Sequence, residues 1–437
     1  MTLSLHQQQA ADPILRILTS QEPETHQCVL AGYAGSGKTF LAGFIAQALL
    51  NENYSVMAIT HAHKALSVIA SKLPAGVETG TVFSALGWRV NIKTGIPTES
   101  GQHRLVGIDV LIVDEASMID QRMYNAMQRL SQNLGFKILF IGDPAQLPPV
   151  GFDESPVFNL VEKQFRLTEI VRQEKDSPII KASMYVRGCL EKLERPDIHA
   201  MQVAAGDGDA IQITTGGVTA IASFVQSAID HGLDCRSVGF TNKSVNQVND
   251  IVSRYFHPPG SPRIAVNDPV TFGSSMIKDN VTIAPTDSIG KAKTIEMIGK
   301  HGCMDIDCLK IELVLDGGKE VECITPADID SYGSKLRNWK KQLSSCNSAA
   351  KQATEPDKIA ELYERRGQLA ILVEQCNDDY ADLRHTYAST AHKAQGSTFD
   401  VAIVDWADMQ RNADIAMLCR LLYVAVTRPS RYLVVVV

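Results

Sequence analysis

The sequence predicts an α/β chain of two units, each a parallel sheet covered by helices, meeting near residue 172. Apolar runs at 27–31, 55–59, 109–113, 137–141, 237–240, 401–404 and 432–437 are continuous rather than alternating, as strands buried on both faces are. Helical stripes separate them. Met123, Ala126, Met127 and Leu130 fall at i, i+3, i+4 and i+7, and Val245, Val248, Val252 and Tyr255 form a second stripe. The length of 437 residues agrees, since ~100–200 residues per domain allows two to four domains.

Composition narrows the class further. Hydrophobic residues at 45% and charged residues at 21% exclude a largely disordered or fibrous chain. The net charge of −7 argues against coating nucleic acid through bulk positive charge, but leaves room for a local basic track. One such contrast lies at 335–366, where eight bases face four acids, although a solvated helix face is the commoner source of such a run. The nine cysteines form no disulfide ladder. His301, Cys303, Cys308 and Cys323 come nearest to a metal box but lack a paired C-x2-C, so packed cysteines are expected there. The N-terminus has no secretory pattern. No apolar run reaches the ~18–20 residues of a membrane span. The expectation is a soluble protein of a reducing compartment, the cytoplasm.

Along the chain, residues 32–39 read G-Y-A-G-S-G-K-T between an apolar strand and an apolar helix. Gly32, Gly35, Ser36 and Gly37 can turn backbone N–H groups around an anion at a helix N-terminus. Lys38 would reach the β- and γ-phosphates of ATP and Thr39 the Mg²⁺ shell. Residues 84–107, with Trp88, Gly95, Pro97 and Gly101 among polar neighbours, form a small excursion. Asp114 and Glu115 follow the next run and fit a Walker B pair, a metal anchor beside a base for the attacking water. Gln146 follows another buried run in a proline-stiffened turn, at the strand ends where open α/β sheets bind ligands. Arg172 and Arg428 are the candidates for positive charge in the transition state. Residues 267–385 break the alternation, first as short strands and hairpins, then from about 335 to 380 as polar helix.

Taken in order, GYAGSGKT, ITHAHKAL, TVFSALG, VDEASM, GDPAQLPPV, LTEIVRQ, FTNKSVNQVN, STAHKAQGSTFD and YVAVTR resemble the superfamily 1 helicases, in particular the RecD and Dda types. The resemblance spans roughly 5–255 and 386–437. It implies two RecA-like P-loop domains, 1–83 with 108–172 and 173–266 with 386–437. It further implies a hairpin wedge at 84–107 and an SH3-like and helical accessory module at 267–385. Also implied are ATP and Mg²⁺ as cofactors, with Gln7 reading adenine and Gly396 joining the nucleotide site to the strand track. Thr60, His61, Lys64, Thr81, Phe83, Ser84, Thr241, Asn242, Thr390 and His392 match the family's single-strand groove, and Trp88 is a possible wedge or stacking platform, or else a buried residue. The implied activity is ATP-dependent 5′→3′ translocation on single-stranded DNA and unwinding of tailed duplex. Single-strand-binding or replication proteins are possible partners, and the setting is the cytoplasm, a host's if the chain is of phage origin. An RNA-directed motor and a nucleotide-switched remodeller that strips bound proteins are the competing readings.

Overall fold

The computed structural model describes residues 3–22, 26–61, 63–90, 97–99, 102–170, 177–206, 208–257, 260–278, 281–353 and 355–437. The chain divides into two compact units, Met1–Val248 with Ala388–Val437, and Asn249–Tyr387.

The first unit holds two sheets whose strands all run parallel. In the first, the order is Glu78–Thr81, Val56–Thr60, Val110–Asp114, Lys137–Gly142, Gln27–Gly32 and Gln164–Leu167. Its interior strands are buried on both faces, the reason their sequences are unbroken apolar runs. Val29, Ala31, Leu111, Val113, Ile138 and Phe140 pack on one side. The alternate residues Cys28, Leu30, Val110, Ile112, Leu139 and Ile141 pack on the other. The second sheet runs Ala388–Thr390, Cys235–Gly239, Phe399–Asp405, Pro429–Val436 and Ile211–Thr214. Helices Pro178–Lys192 and Ile415–Val426 share one apolar cluster with it, through Ala182, Val186, Leu418 and Leu422. These are the two RecA-like sheets, and they lie within one compact unit.

The expected excursion contains an antiparallel hairpin, Trp88–Val90 paired with Pro97–Glu99. Pro429, next to Arg428, opens the last strand instead of breaking its pairing, as a first-residue proline can.

The second unit is built on an antiparallel sheet in the order Glu320–Pro326, Ile306–Leu315, Ile289–His301, Pro269–Phe272 and Leu383–His385. The polar stretch forms two long helices, Ile329–Gln352 and Pro356–Asp379. They are packed against each other.

Candidate nucleotide site and strand track

All six strands of the first sheet point the same way, so the segments after them gather at one edge. After Gln27–Gly32 the chain makes two left-handed turns, Gly35 at φ 80° and Gly37 at φ 83°, which glycine adopts at little cost. Gly37 caps the helix Lys38–Asn51 with no side-chain hydrogen bond, leaving its first N–H groups for an anion. A Cβ on Gly32 would meet Ser36 Oγ at 2.8 Å and Leu167 O at 2.9 Å, so the loop closes only on glycine. Lys38 Nζ donates to Gly32 O at 2.8 Å and Tyr33 O at 2.9 Å. Burial pushes its ammonium below the ordinary lysine value, against the pull of Asp143, Glu115 and Asp114.

A cavity of about 450 Å³ opens over this loop, lined by Lys38, Thr39, Asp114, Glu115, Gln146 and Arg428 among others. Asp114 accepts the Glu115 N–H at 2.9 Å. Burial first, then the Glu115 charge, raises its carboxyl to about 7. Glu115 sits in the left-handed region at φ 53°. Among the polar atoms at the site that are buried without a partner among the described residues are Ser36 Oγ and Gln146 Oε1. Buried polar atoms are normally bonded, so both fit a phosphate and its water as missing partners. Thr39 and Asp114 line the cavity with oxygens of the hard kind that would suit Mg²⁺.

The second sheet reaches this cavity. Gln395 Nε2 donates to Ser117 Oγ at 2.9 Å and to Glu115 Oε2 at 3.4 Å. The next residue, Gly396, is left-handed at φ 74°, and a Cβ there would lie 3.2 Å from Ala65 Cβ. Arg428 is held at the wall by Val424 O, Ser397 O and Thr427 Oγ1 at 3.0, 2.9 and 2.9 Å. Arg172 lies outside the described residues. Gln7 is buried and closes a capping box with Ser4, while its Nε2 lacks a partner among the described residues.

The sequence reading missed a cluster beside the loop. Asp143, 0% exposed, accepts from Arg187 Nη1 at 2.8 Å and from the Tyr423 hydroxyl at 2.7 Å. Tyr423 in turn accepts from Ala34 N at 3.2 Å, and the Arg187 guanidinium lies 3.9 Å from the Tyr33 ring centre. Arg420 donates to Pro144 O and Gln146 O. Asp143 and Tyr423 stand inside motifs already marked, GDPAQ and YVAVTR, whereas nothing in the sequence around Arg187 singles it out.

The matched track residues group by register. Thr60 pairs with Thr81 at the ends of adjacent strands in the first sheet, and Thr390 pairs with Gly239, two residues before Thr241, in the second. Thr60 is fully buried with an unpartnered Oγ1 among the described residues. Thr81 and Ser84 are committed to each other in a capping box at the head of a short helix. Thr241 Oγ1 donates to Asp408 Oδ1 at 2.7 Å, and Asn242 is exposed at the start of its helix. Thr390 caps the helix Ala391–Ala394. Burial lowers both His61 and His392 below the ordinary histidine value. The Lys64 side chain lies outside the described residues. His61, Phe83 and Trp88 form an edge-to-face ladder with ring centres 6.1 and 5.9 Å apart. Of the two readings of Trp88, the structure shows the buried one: the ring is 7% exposed, in the first sheet's core.

Two parallel RecA-like sheets, with a P-loop and an acidic pair after two strands of the same sheet, define a P-loop nucleotide hydrolase. The comparisons with known proteins carry this to a family. Residues 3–218 match the AAA domain and 385–436 the UvrD-like helicase C-terminal domain. The chain is similar to the ATP-dependent DNA helicase dda of Enterobacteria phage T4, 27% identical over 95% of each chain. An uncharacterized protein, R530 of Acanthamoeba polyphaga mimivirus, is 23% identical over 98% of each. A Pif1 helicase from Bacteroides, solved in complex with ADP-AlF3 and ssDNA, aligns with 100% of this chain and 92% of its own at 15% identity and a TM-score of 0.47. Together these matches support a superfamily 1 helicase of the Dda type. Among the described residues no helix is long and apolar enough to cross a membrane.

Proposed function

We propose that the chain is an ATP-dependent DNA helicase that translocates 5′→3′ on single-stranded DNA and opens tailed duplex as its two RecA-like sheets close and part. One observation carries the coupling: Gln395 donates to Glu115 and Ser117. Gln395 lies five residues after Thr390 and three after His392 on the same short segment. A shift of the strand on that segment therefore moves a hydrogen-bond donor on the catalytic carboxylate. This is the physical link that a two-state motor needs.

The roles follow from position. Lys38, the loop N–H groups and Ser36 hold the phosphates, Thr39 and Asp114 hold Mg²⁺, and Gln7 faces the base. Bound Mg²⁺–ATP supplies the phosphoanhydride whose hydrolysis drives the cycle. Glu115 takes a proton from the attacking water at its carboxylate, Gln146 orients that water through Oε1, and Arg172 and Arg428 add positive charge. Thr60, His61, Lys64, Thr81, Phe83, Ser84, Thr241, Asn242, Thr390 and His392 form the track. The module at 267–385 is accessory, and a cytoplasmic setting with replication or single-strand-binding partners suits this activity.

The test is unwinding of 5′-tailed, 3′-tailed and RNA-tailed duplexes in ATP and Mg²⁺. Opening of the 5′-tailed DNA alone is expected. Opening from the 3′ tail alone overturns the polarity, and preference for the RNA tail overturns the substrate.

A further inference from the structure

Asp268 gathers two histidines that are distant in the second unit's sequence. His257 follows the helix Asn242–Phe256, and its Nε2 lies 3.0 Å from Asp268 Oδ2. His385 ends the strand Leu383–His385, and its Nε2 lies 3.1 Å from the same oxygen. One ligand atom from each residue falls within 4.8 Å of the other two. His301, Cys303 and Cys308, the nearest thing to a metal box in the sequence, form no such group among the described residues.

As a plain hydrogen-bond network the arrangement is lopsided. Ala265 N also donates to Oδ2, at 2.8 Å, so three donors converge on one carboxylate oxygen. The other oxygen, Oδ1, has the Tyr387 hydroxyl at 3.4 Å. Both imidazoles must also carry their proton on Nε2 for such a network to form. A cation between the three atoms relieves the crowding, because each Nε2 then offers a lone pair rather than a proton. Ala265 N–H and the Tyr387 hydroxyl remain behind the carboxylate, the outer support that metal-binding carboxylates use.

We propose that His257, Asp268 and His385 bind a first-row transition-metal ion, with Zn²⁺ the best match. Two imidazoles and one carboxylate are a zinc donor set, and the softer imidazoles disfavour Mg²⁺ and Ca²⁺. Tetrahedral Zn²⁺ with bonds of about 2.0–2.1 Å spaces its ligands about 3.3 Å apart, near the 3.0 and 3.1 Å found here. The ion would clasp the segment by which the chain enters the antiparallel sheet to the one by which it leaves. Phe256, stacked on Tyr387, already brings these segments together.

The test uses the full chain, stripped by chelator, dialysed and titrated with Co²⁺ in excess Mg²⁺, which fills oxygen sites. One equivalent should develop the visible absorption of low-coordinate Co²⁺, which Zn²⁺ then displaces. His385→Ala and His257→Gln should each weaken uptake by about 100-fold or more, since even outer-support changes cost 10–100-fold. Asp114→Asn should leave the band in place, separating this site from the nucleotide site. No stoichiometric band in the unaltered chain, or a band that survives both histidine substitutions, overturns the proposal. The titration of the unaltered chain decides even if a variant fails to fold.

Discussion

The Tyr423 hydroxyl donates to Asp143 Oδ2 at 2.7 Å, joining a helix of the second sheet to the loop that leaves a central strand of the first. The Tyr423 hydroxyl oxygen in turn accepts the Ala34 N–H of the phosphate loop. Tyr423→Phe keeps the ring and removes these bonds, together with the one that Arg187 Nη1 donates to the hydroxyl at 3.3 Å. Hydrogen bonds to charged groups contribute about 1.5–3 kcal/mol, and denaturant unfolding should lose that much. DNA-stimulated ATP turnover should fall further than the unstimulated rate, because the bond that joins the two sheets is lost. Unchanged stimulation would sink the coupling role.

Glu115→Gln preserves volume and the Gln395 contact yet removes the carboxylate proposed as proton acceptor. ATP turnover should drop by ~10²–10⁴, with nucleotide affinity kept, as measured by single-turnover assay beside equilibrium binding. Loss of binding together with turnover would instead make Glu115 a ligand-holding residue.

Trp88→Ala distinguishes a core ring from a wedge. Its burial against Phe83 and within the first sheet's core predicts a stability loss of about 3–5 kcal/mol. Unwinding should fall only as far as the folded fraction does. A fully stable variant with a selective unwinding defect would restore the wedge.

The strands legible in the sequence are the sheet interiors. The strands Glu78–Thr81, Gln164–Leu167, Ile211–Thr214 and Ala388–Thr390 escaped it, and all four are sheet edges of three or four residues. An edge strand has part of its surface in solvent, so the continuous apolar run that marks an interior strand is absent. The nucleotide loop was legible because its chemistry fixes residue types at fixed spacing. Arg187 was not, because its partners Asp143 and Tyr423 lie 44 and 236 residues away. Thr81 and Ser84 show the converse: a motif match names residues whose hydroxyls are already spent on a helix cap.

His392 gives a pH prediction whose sign follows from burial. Burial lowers its folded value below the unperturbed 6.5. As pH falls through about 6.5, the unfolded chain takes a proton that the folded chain refuses. Stability from this residue is therefore present above that pH and is lost progressively below it, down to the folded value. His392→Gln removes the titration and should flatten the stability–pH slope on the acid side of 6.5, read from denaturant midpoints at a series of pH values. His61 is lowered for the same first cause, so the double variant with His61→Gln should flatten it further. An unchanged slope in the double variant would mean that both rings titrate in the folded chain as freely as in the unfolded one.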